Sequence, residues 1–206
     1  ILSKLSEGRD LTESEAQSAF NAIISGQASD VEIGAFLMGL RVKGEAIAEL
    51  TAGARALRER MTRVDAPPGA IDCCGTGGDS RNTLNISTAA SFVLAGAGVK
   101  VAKHGNRAVS SRSGAVDVLC ALGVKLDTTP EILARCFSNA GLAFMLAPLH
   151  HAAMKHVAGV RQALGIRTIF NLLGPLANPA GVKRQLIGVA SPQWLVPFAE
   201  VLKDLG

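Results

Sequence analysis

Three short stretches hold the residue types that could do chemistry. Gly75-Thr76-Gly77-Gly78-Asp79 comes first, then Asn85-Ile86-Ser87-Thr88, then Lys103-His104-Gly105-Asn106-Arg107 with Ser110, Ser111, Arg112 and Ser113 close behind. Each is small, polar or basic, and each stands where a strand pattern gives way to a helix pattern. Glycine lets a backbone turn sharply and approach a ligand closely. Amides at a helix start point outward and favour anions. No Gly-Lys-Ser/Thr follows the glycine loop at Walker spacing, and the third glycine of the dinucleotide fingerprint is missing. Taken singly, the loop reads equally well as a tight turn, and Asn85 as a plain helix cap. Taken together, the three stretches make a phosphate cradle built from successive βα loops. Charge-assisted bonds contribute roughly 1.5–3 kcal/mol each. Micromolar binding needs about 8 kcal/mol, so a handful of such bonds suffices.

His150, His151 and His156 invite a metal reading. Adjacent histidines on a helix face different directions, and no carboxylate or cysteine completes a zinc shell. Arg161 lies a little over one turn beyond His156. A guanidinium is the natural fork for a planar carboxylate; a solvated arginine on an amphipathic helix is the alternative.

The elements that must position these residues follow from periodicity. Residues 1–66 read as helical. Thr12 and Glu15 form a capping box, and Ser29 and Glu32 repeat it. Apolar stripes follow at Ala16, Ala19, Phe20, Ile23 and Ile24, and at Ile33, Phe36, Leu37 and Leu40. A third helix starts near Glu45. Pro67-Pro68-Gly69 breaks the pattern and reads as a linker. Beyond it, strands are expected at 70–74, 99–102, 142–147 and 185–190. Helices are expected from Asn85 to about Gly96, over 114–122, from Thr129 with Pro130 first, over 151–164, over 168–173, and from Ser191 to about Leu205. Strands alternating with helices imply a largely parallel α/β sheet.

Composition narrows the function classes. Of 206 residues, 48% are hydrophobic and 18% charged, which excludes disorder as the default. No apolar run reaches the ~18 residues of a membrane span, and the start lacks a secretory signal pattern. A cytoplasmic protein is expected. The net charge of +4 suits an acidic ligand, but scattered cations, 4% aromatics and no Tyr argue against nucleic acid. Cys73, Cys74, Cys120 and Cys136 lack CxxC spacing and read as buried free thiols.

GTGGD from Gly75, NIST from Asn85, KHGNR from Lys103 with serines behind it, APLHH from Ala147, MKHV from Met154, Val160-Arg161, and RTIFNLLGPLANP from Arg167 stand in this order. Together they resemble anthranilate phosphoribosyltransferase, over the whole chain. The resemblance implies an α/β fold of the nucleoside phosphorylase and phosphoribosyltransferase group. A small N-terminal helical domain (1–66) is hinged to a larger α/β domain (70–206), and residues 161–182 pack with the helical one. A further βα unit would be expected after the last helix, so a chain truncated at its C-terminus is expected. The implied reaction joins anthranilate to phosphoribosyl pyrophosphate, giving phosphoribosyl anthranilate and pyrophosphate in tryptophan synthesis.

By the same resemblance, Gly75, Gly78, Asp79, Thr83, Asn85, Ser87 and Thr88 hold the sugar pyrophosphate. Lys103, Gly105, Arg107, Ser110 and Ser111 wrap its phosphates. Asn106 and Arg161 hold anthranilate, with Gly75, His104, Pro148 and His151 near its tunnel. Ala115 stands where family members often carry serine, so only its backbone amide serves. The implied cofactor is Mg²⁺, with Ser87 as a ligand. In the family a neighbouring Asp and Glu hold a second Mg²⁺ beyond the point where this chain stops. No side chain is assigned as general base, because the aromatic amine loses its proton readily once it bears positive charge. A homodimer through the helical domain is implied. The alternatives are a pyrimidine nucleoside phosphorylase, a non-catalytic paralogue that binds nucleic acid, and an inert fragment of the enzyme.

Overall fold

A computed structural model describes residues 1–77, 84–106 and 114–206. Along the chain lie α1 (Leu2–Ser6), α2 (Glu13–Ile24), α3 (Asp30–Lys43), α4 (Ile47–Arg60), β1 (Ile71–Gly75), α5 (Ile86–Gly96), β2 (Val101–Gly105), α6 (Ala115–Ala121) and α7 (Pro130–Ala140). Then come β3 (Leu142–Leu146), α8 (Ala147–His150), α9 (Lys155–Leu164), α10 (Ile169–Leu173), β4 (Arg184–Gly188) and α11 (Leu195–Leu205). They form two compact units. One comprises Ile1–Met61, His151–Ala177 and Ser191–Gly206, and the other Thr62–His150 and Asn178–Ala190.

The helical unit starts from its caps. The Glu15 amide donates to the Thr12 hydroxyl, while the Thr12 amide donates to the Glu15 carboxylate at 2.8 Å. Ser29 and Glu32 repeat the exchange. Lys4 and Thr12 together hold the Glu15 carboxyl down to about 2. Phe20 is the hub of the core. It meets Phe36 edge to face at 5.4 Å and Phe170 at 6.0 Å, both at 90°. Helix α4 passes close by because residue 53 is glycine. A Cβ there would stand 2.7 Å from Leu173 Cδ1 and 2.8 Å from Phe20 Cζ.

Glu49 is fully buried. Its carboxylate accepts the Leu11 amide at 3.0 Å, the Ala46 amide at 2.7 Å and the Lys43 ammonium at 3.1 Å. Lys43 also donates to Asp10 and to the Gly44 carbonyl, each at 2.6 Å. Three segments are thereby tied together around one charge pair.

The α/β unit holds a four-stranded parallel sheet in the order β3-β2-β1-β4. Side chains alternate between its faces. On β3, Ala143 and Met145 join Ala102, Leu133 and Phe137 on one side, while Phe144 and Leu146 pack on the cluster of Val116, Leu119 and Leu126 on the other. Helix α7 begins as expected, with the Ile132 amide on the Thr129 hydroxyl and Pro130 in the first turn. Asn178 bolts the returning chain to the sheet. Its side-chain amide donates to Asp72 at 2.8 Å and to the Ala102 carbonyl at 2.9 Å, while its oxygen accepts the Ala180 amide.

Several boundaries differ from expectation. Strand β2 runs through Gly105, so Lys103 and His104 are strand residues; pairing with β3 continues to Gly105 opposite Leu146 and keeps them extended. The helix expected over 151–164 is interrupted at His151 and resumes at Lys155 after a single 3₁₀ turn. Residues 62–66 and 178–182 belong to the α/β unit, because the Val64 amide bonds the Pro179 carbonyl and Asn178 is fixed to the sheet. Helix α11 belongs to the helical unit. It buries Phe198 and Val201, packs on α4, and its Asp204 carbonyl accepts Arg55 at 3.0 Å.

His150 supplies a pH test of the α/β unit. Its Nδ1 lies 3.2 Å from the Thr62 carbonyl, the Thr62 amide bonds the His150 carbonyl, and burial lowers its pKa. The unfolded chain therefore takes up the proton first as pH falls below about 6.5, the ordinary histidine value. Stability from this residue is full above that pH and declines below it. Melting scans at pH 7.5 and 5.5 should show a drop that is smaller in His150→Gln; an equal drop in both proteins would refute this.

Candidate active site

Gly75 ends β1 and Asn85 precedes α5, so the described residues of the first two stretches lie on the C-terminal side of the parallel strands, where ligands of open α/β sheets bind. Gly75 ends β1 opposite Gly188 of β4. A Cβ at Gly75 would stand 3.1 Å from the Gly188 carbonyl oxygen, so the close pairing of these strands needs glycine here. The Thr76 amide donates to that carbonyl at 2.9 Å, and the Thr76 hydroxyl accepts the Ala190 amide at 3.1 Å. Gly77 follows with φ +65°, a turn open to glycine at no cost.

Asn85 precedes α5, and its carbonyl accepts the Thr88 and Ala89 amides at 3.0 Å. Its side chain does not cap the helix, contrary to expectation. Capping side chains work from extended backbone, whereas Asn85 has φ −74° and ψ 66°. Ser87 is half-buried in the first turn, and Thr88 is buried.

On β2, Lys103 and His104 are both buried. The Lys103 ammonium donates to the Cys73 carbonyl at 2.7 Å. Burial pushes the Asp72 carboxyl up, against the pull of the Lys103 charge and the Asn178 amide. Burial also pushes the Cys74 thiol well up, and the Asp72 charge adds to this. Gly105 closes the strand, and a Cβ on it would meet Ala115 Cβ at 3.6 Å. Asn106 follows. The Gly114 amide donates to Asp117 at 2.7 Å and so starts α6 at Ala115. Gly78, Asp79, Thr83, Arg107, Ser110 and Ser111 lie outside the described residues.

The remaining predicted residues divide between the two units. Pro148 is in α8 of the α/β unit. His151 and Arg161 belong to the helical unit. The His151 Nε2 lies 2.9 Å from the Ala177 carbonyl. Arg161 stands with its guanidinium 5.6 Å from the Phe170 ring centre and 3.5 Å from the Asn171 side-chain oxygen. Burial lowers its pKa.

Cys73 was readable only as a buried thiol. Its Sγ donates to the Ser87 carbonyl beneath the first turn of α5. Neither composition nor spacing signals that contact. A cavity of about 330 Å³ also lies in the α/β unit, lined by Phe92, Val124, Leu133, Cys136 and Phe144 among others. It is mainly apolar, and none of the loop residues above lines it.

Residues 1–61 match the helical bundle domain of the glycosyl transferase family, and residues 67–206 match its a/b domain. The chain belongs to that family. Among similar members is the anthranilate phosphoribosyltransferase of Rhizobium johnstonii, 60% identical over 206 residues, which cover 100% of this chain and 61% of the relative. The chain thus spans about three fifths of the length of the curated relatives it matches. Among solved members, the anthranilate phosphoribosyltransferase of Thermus thermophilus superposes with TM-score 0.91 at 46% identity, over 100% of this chain and 63% of that one. The Saccharomyces cerevisiae enzyme in complex with PRPP and Mg gives 0.87 at 32% identity, over 97% of this chain and 60% of that one.

Proposed function

We propose that the protein transfers a phosphoribosyl group from phosphoribosyl pyrophosphate to anthranilate, releasing pyrophosphate, as a step of tryptophan synthesis. The observation that carries the reading is that Gly75 at the end of β1, the first turn of α5 and Lys103 of β2 are held together at the two central strands of the sheet through Cys73, in a chain 60% identical to a named anthranilate phosphoribosyltransferase. Amides at Gly75 and Gly77 and at the start of α5 receive the phosphates, with Ser87 and Thr88 adding hydroxyls. Lys103 adds charge as a positioning residue of the cradle. Gly78, Asp79, Thr83, Arg107, Ser110 and Ser111 keep the contacts their motifs imply, and Asn106 and Arg161 hold anthranilate.

Chemically, departure of pyrophosphate leaves positive charge on the ribose and builds negative charge on the leaving group. Donors aimed at that growing charge stabilise the transition state, and holding two substrates in line supplies much of the rest. The amine of anthranilate sheds its proton after attack, so no strong base is required of His104. Magnesium would neutralise pyrophosphate charge when bound. Ser87 fits it as a hard oxygen donor, since Mg²⁺ keeps several waters and takes few protein ligands.

We further read the molecule as a cytoplasmic homodimer. Free thiols at all four cysteines suit a reducing compartment. Val31 and Val42, both about 80% exposed, and Met38 lie along one side of α3 and suit a subunit face. A monomer by sedimentation at micromolar concentration would remove the dimer. For the reaction, anthranilate fluorescence is followed after phosphoribosyl pyrophosphate and Mg²⁺ are added to the protein. Loss of signal with release of pyrophosphate is expected. A steady signal would overturn the assignment of this activity to the chain.

A further inference from the structure

Cys73 connects two elements on which the proposed reaction depends, helix α5 and strand β2. Its thiol donates to the Ser87 carbonyl at 3.1 Å and lies 3.2 Å from the Ser91 hydroxyl. Ser91 donates to the same Ser87 carbonyl at 2.7 Å. The carbonyl of Cys73 accepts the Lys103 ammonium at 2.7 Å. Cys73 is 3% exposed, Ser91 0% and Lys103 3%. One residue of β1 therefore grips the first turn of α5 with its side chain and Lys103 of β2 with its backbone.

Stability does not account for the choice of residues. A thiol is a weak donor. A serine that bonds back one turn within a helix slightly destabilises it. An apolar pair of similar size would fill the same space without burying polar groups. What the pair supplies is direction: the Ser87 carbonyl is held from two sides, so the turn carrying the Ser87 hydroxyl and the neighbouring amides is fixed in azimuth.

We propose that Cys73 and Ser91 are a positioning pair for Ser87, orienting the first turn of α5 toward pyrophosphate and its metal ion. This rests on the phosphoribosyl reading above. Neither residue touches the ligand; both act through Ser87.

The test is calorimetric titration of the protein with inorganic pyrophosphate and Mg²⁺, which needs no turnover. Cys73→Ala and Ser91→Ala should each weaken binding about threefold to tenfold, the effect of one lost hydrogen bond. Cys73→Ser retains a donor and should recover most of the loss. In kinetics, KM for phosphoribosyl pyrophosphate should rise by the same factor while KM for anthranilate stays put. If Cys73→Ala does not fold, Ser91→Ala removes a bond to the same carbonyl with a smaller change. Wild-type affinity in the alanine variants would overturn the proposal. So would a Cys73→Ser protein as impaired as Cys73→Ala, because the thiol would then matter only for packing. A wild-type protein that takes up no pyrophosphate would sink the phosphoribosyl reading itself, and this inference with it.

Discussion

Replacing Arg161 by alanine is expected to lower anthranilate turnover at subsaturating substrate by about a hundredfold or more. The size follows from chemistry. A guanidinium holds a carboxylate through two parallel charge-assisted bonds, each contributing roughly 1.5–3 kcal/mol, and about 1.4 kcal/mol is a factor of ten. The arginine is also held ready. It lies against the Phe170 ring and within reach of the Asn171 oxygen, both on α10, whose apolar residues are buried in the helical unit. Burial lowers its pKa, yet an arginine remains charged in a protein. Arg161→Lys keeps a charge but loses the planar fork, so little recovery is expected. The fold should tolerate the alanine, since the ring contact contributes about 0.5–2 kcal/mol. Steady-state assays with each substrate varied in turn separate the roles. KM for anthranilate should rise, with pyrophosphate affinity unchanged. An anthranilate KM within twofold of wild type would show that Arg161 does not hold the carboxylate.

Glu49→Ala is the substitution expected to harm the fold most. It removes the buried partner of Lys43, whose side chain is 4% exposed, and it orphans the Leu11 and Ala46 amides. Breaking a buried pair by removing one partner costs about 3–5 kcal/mol. Asp10 keeps part of the Lys43 charge satisfied, so the lower end of that range applies. A melting temperature lower by about 10 °C follows from ordinary unfolding entropies. Glu49→Gln keeps an acceptor for one amide and should lose less. Thermal scans decide: a shift below about 2 °C for the alanine variant would mean that Lys43 and the two amides find other partners.

Much of the architecture is legible in the sequence because its signals are local. The two capping boxes at Thr12 and Ser29 act within one turn, and both form. The stripe through Phe20, Ile23 and Ile24 is buried as its spacing requires. Pro67-Pro68-Gly69 falls between the last helix of the first stretch and β1. Gly75 is glycine because a neighbouring strand passes within contact distance, and that need shows as a glycine even before the neighbour is known.

What tertiary structure alone decided involves partners far apart in the chain. Lys103 and His104 look like loop residues from composition, but pairing with β3, some 40 positions on, makes them strand. Helix α11 follows a βα pattern in sequence yet packs on α4 in the helical unit, because its Phe198 and Val201 face needs a complementary apolar surface and no local signal says which one. Asn85 sits at a cap position without capping, since its backbone leaves the extended region that capping requires. Cys73 shows the limit most clearly. A cysteine in a buried strand is readable as a thiol out of solvent, whereas the Ser87 carbonyl it meets, 14 residues on, is set by how α5 lies on β1. Hydrophobic period and cap chemistry act within a turn or two of chain; hydrogen-bond partners across a core depend on packing that no short stretch encodes.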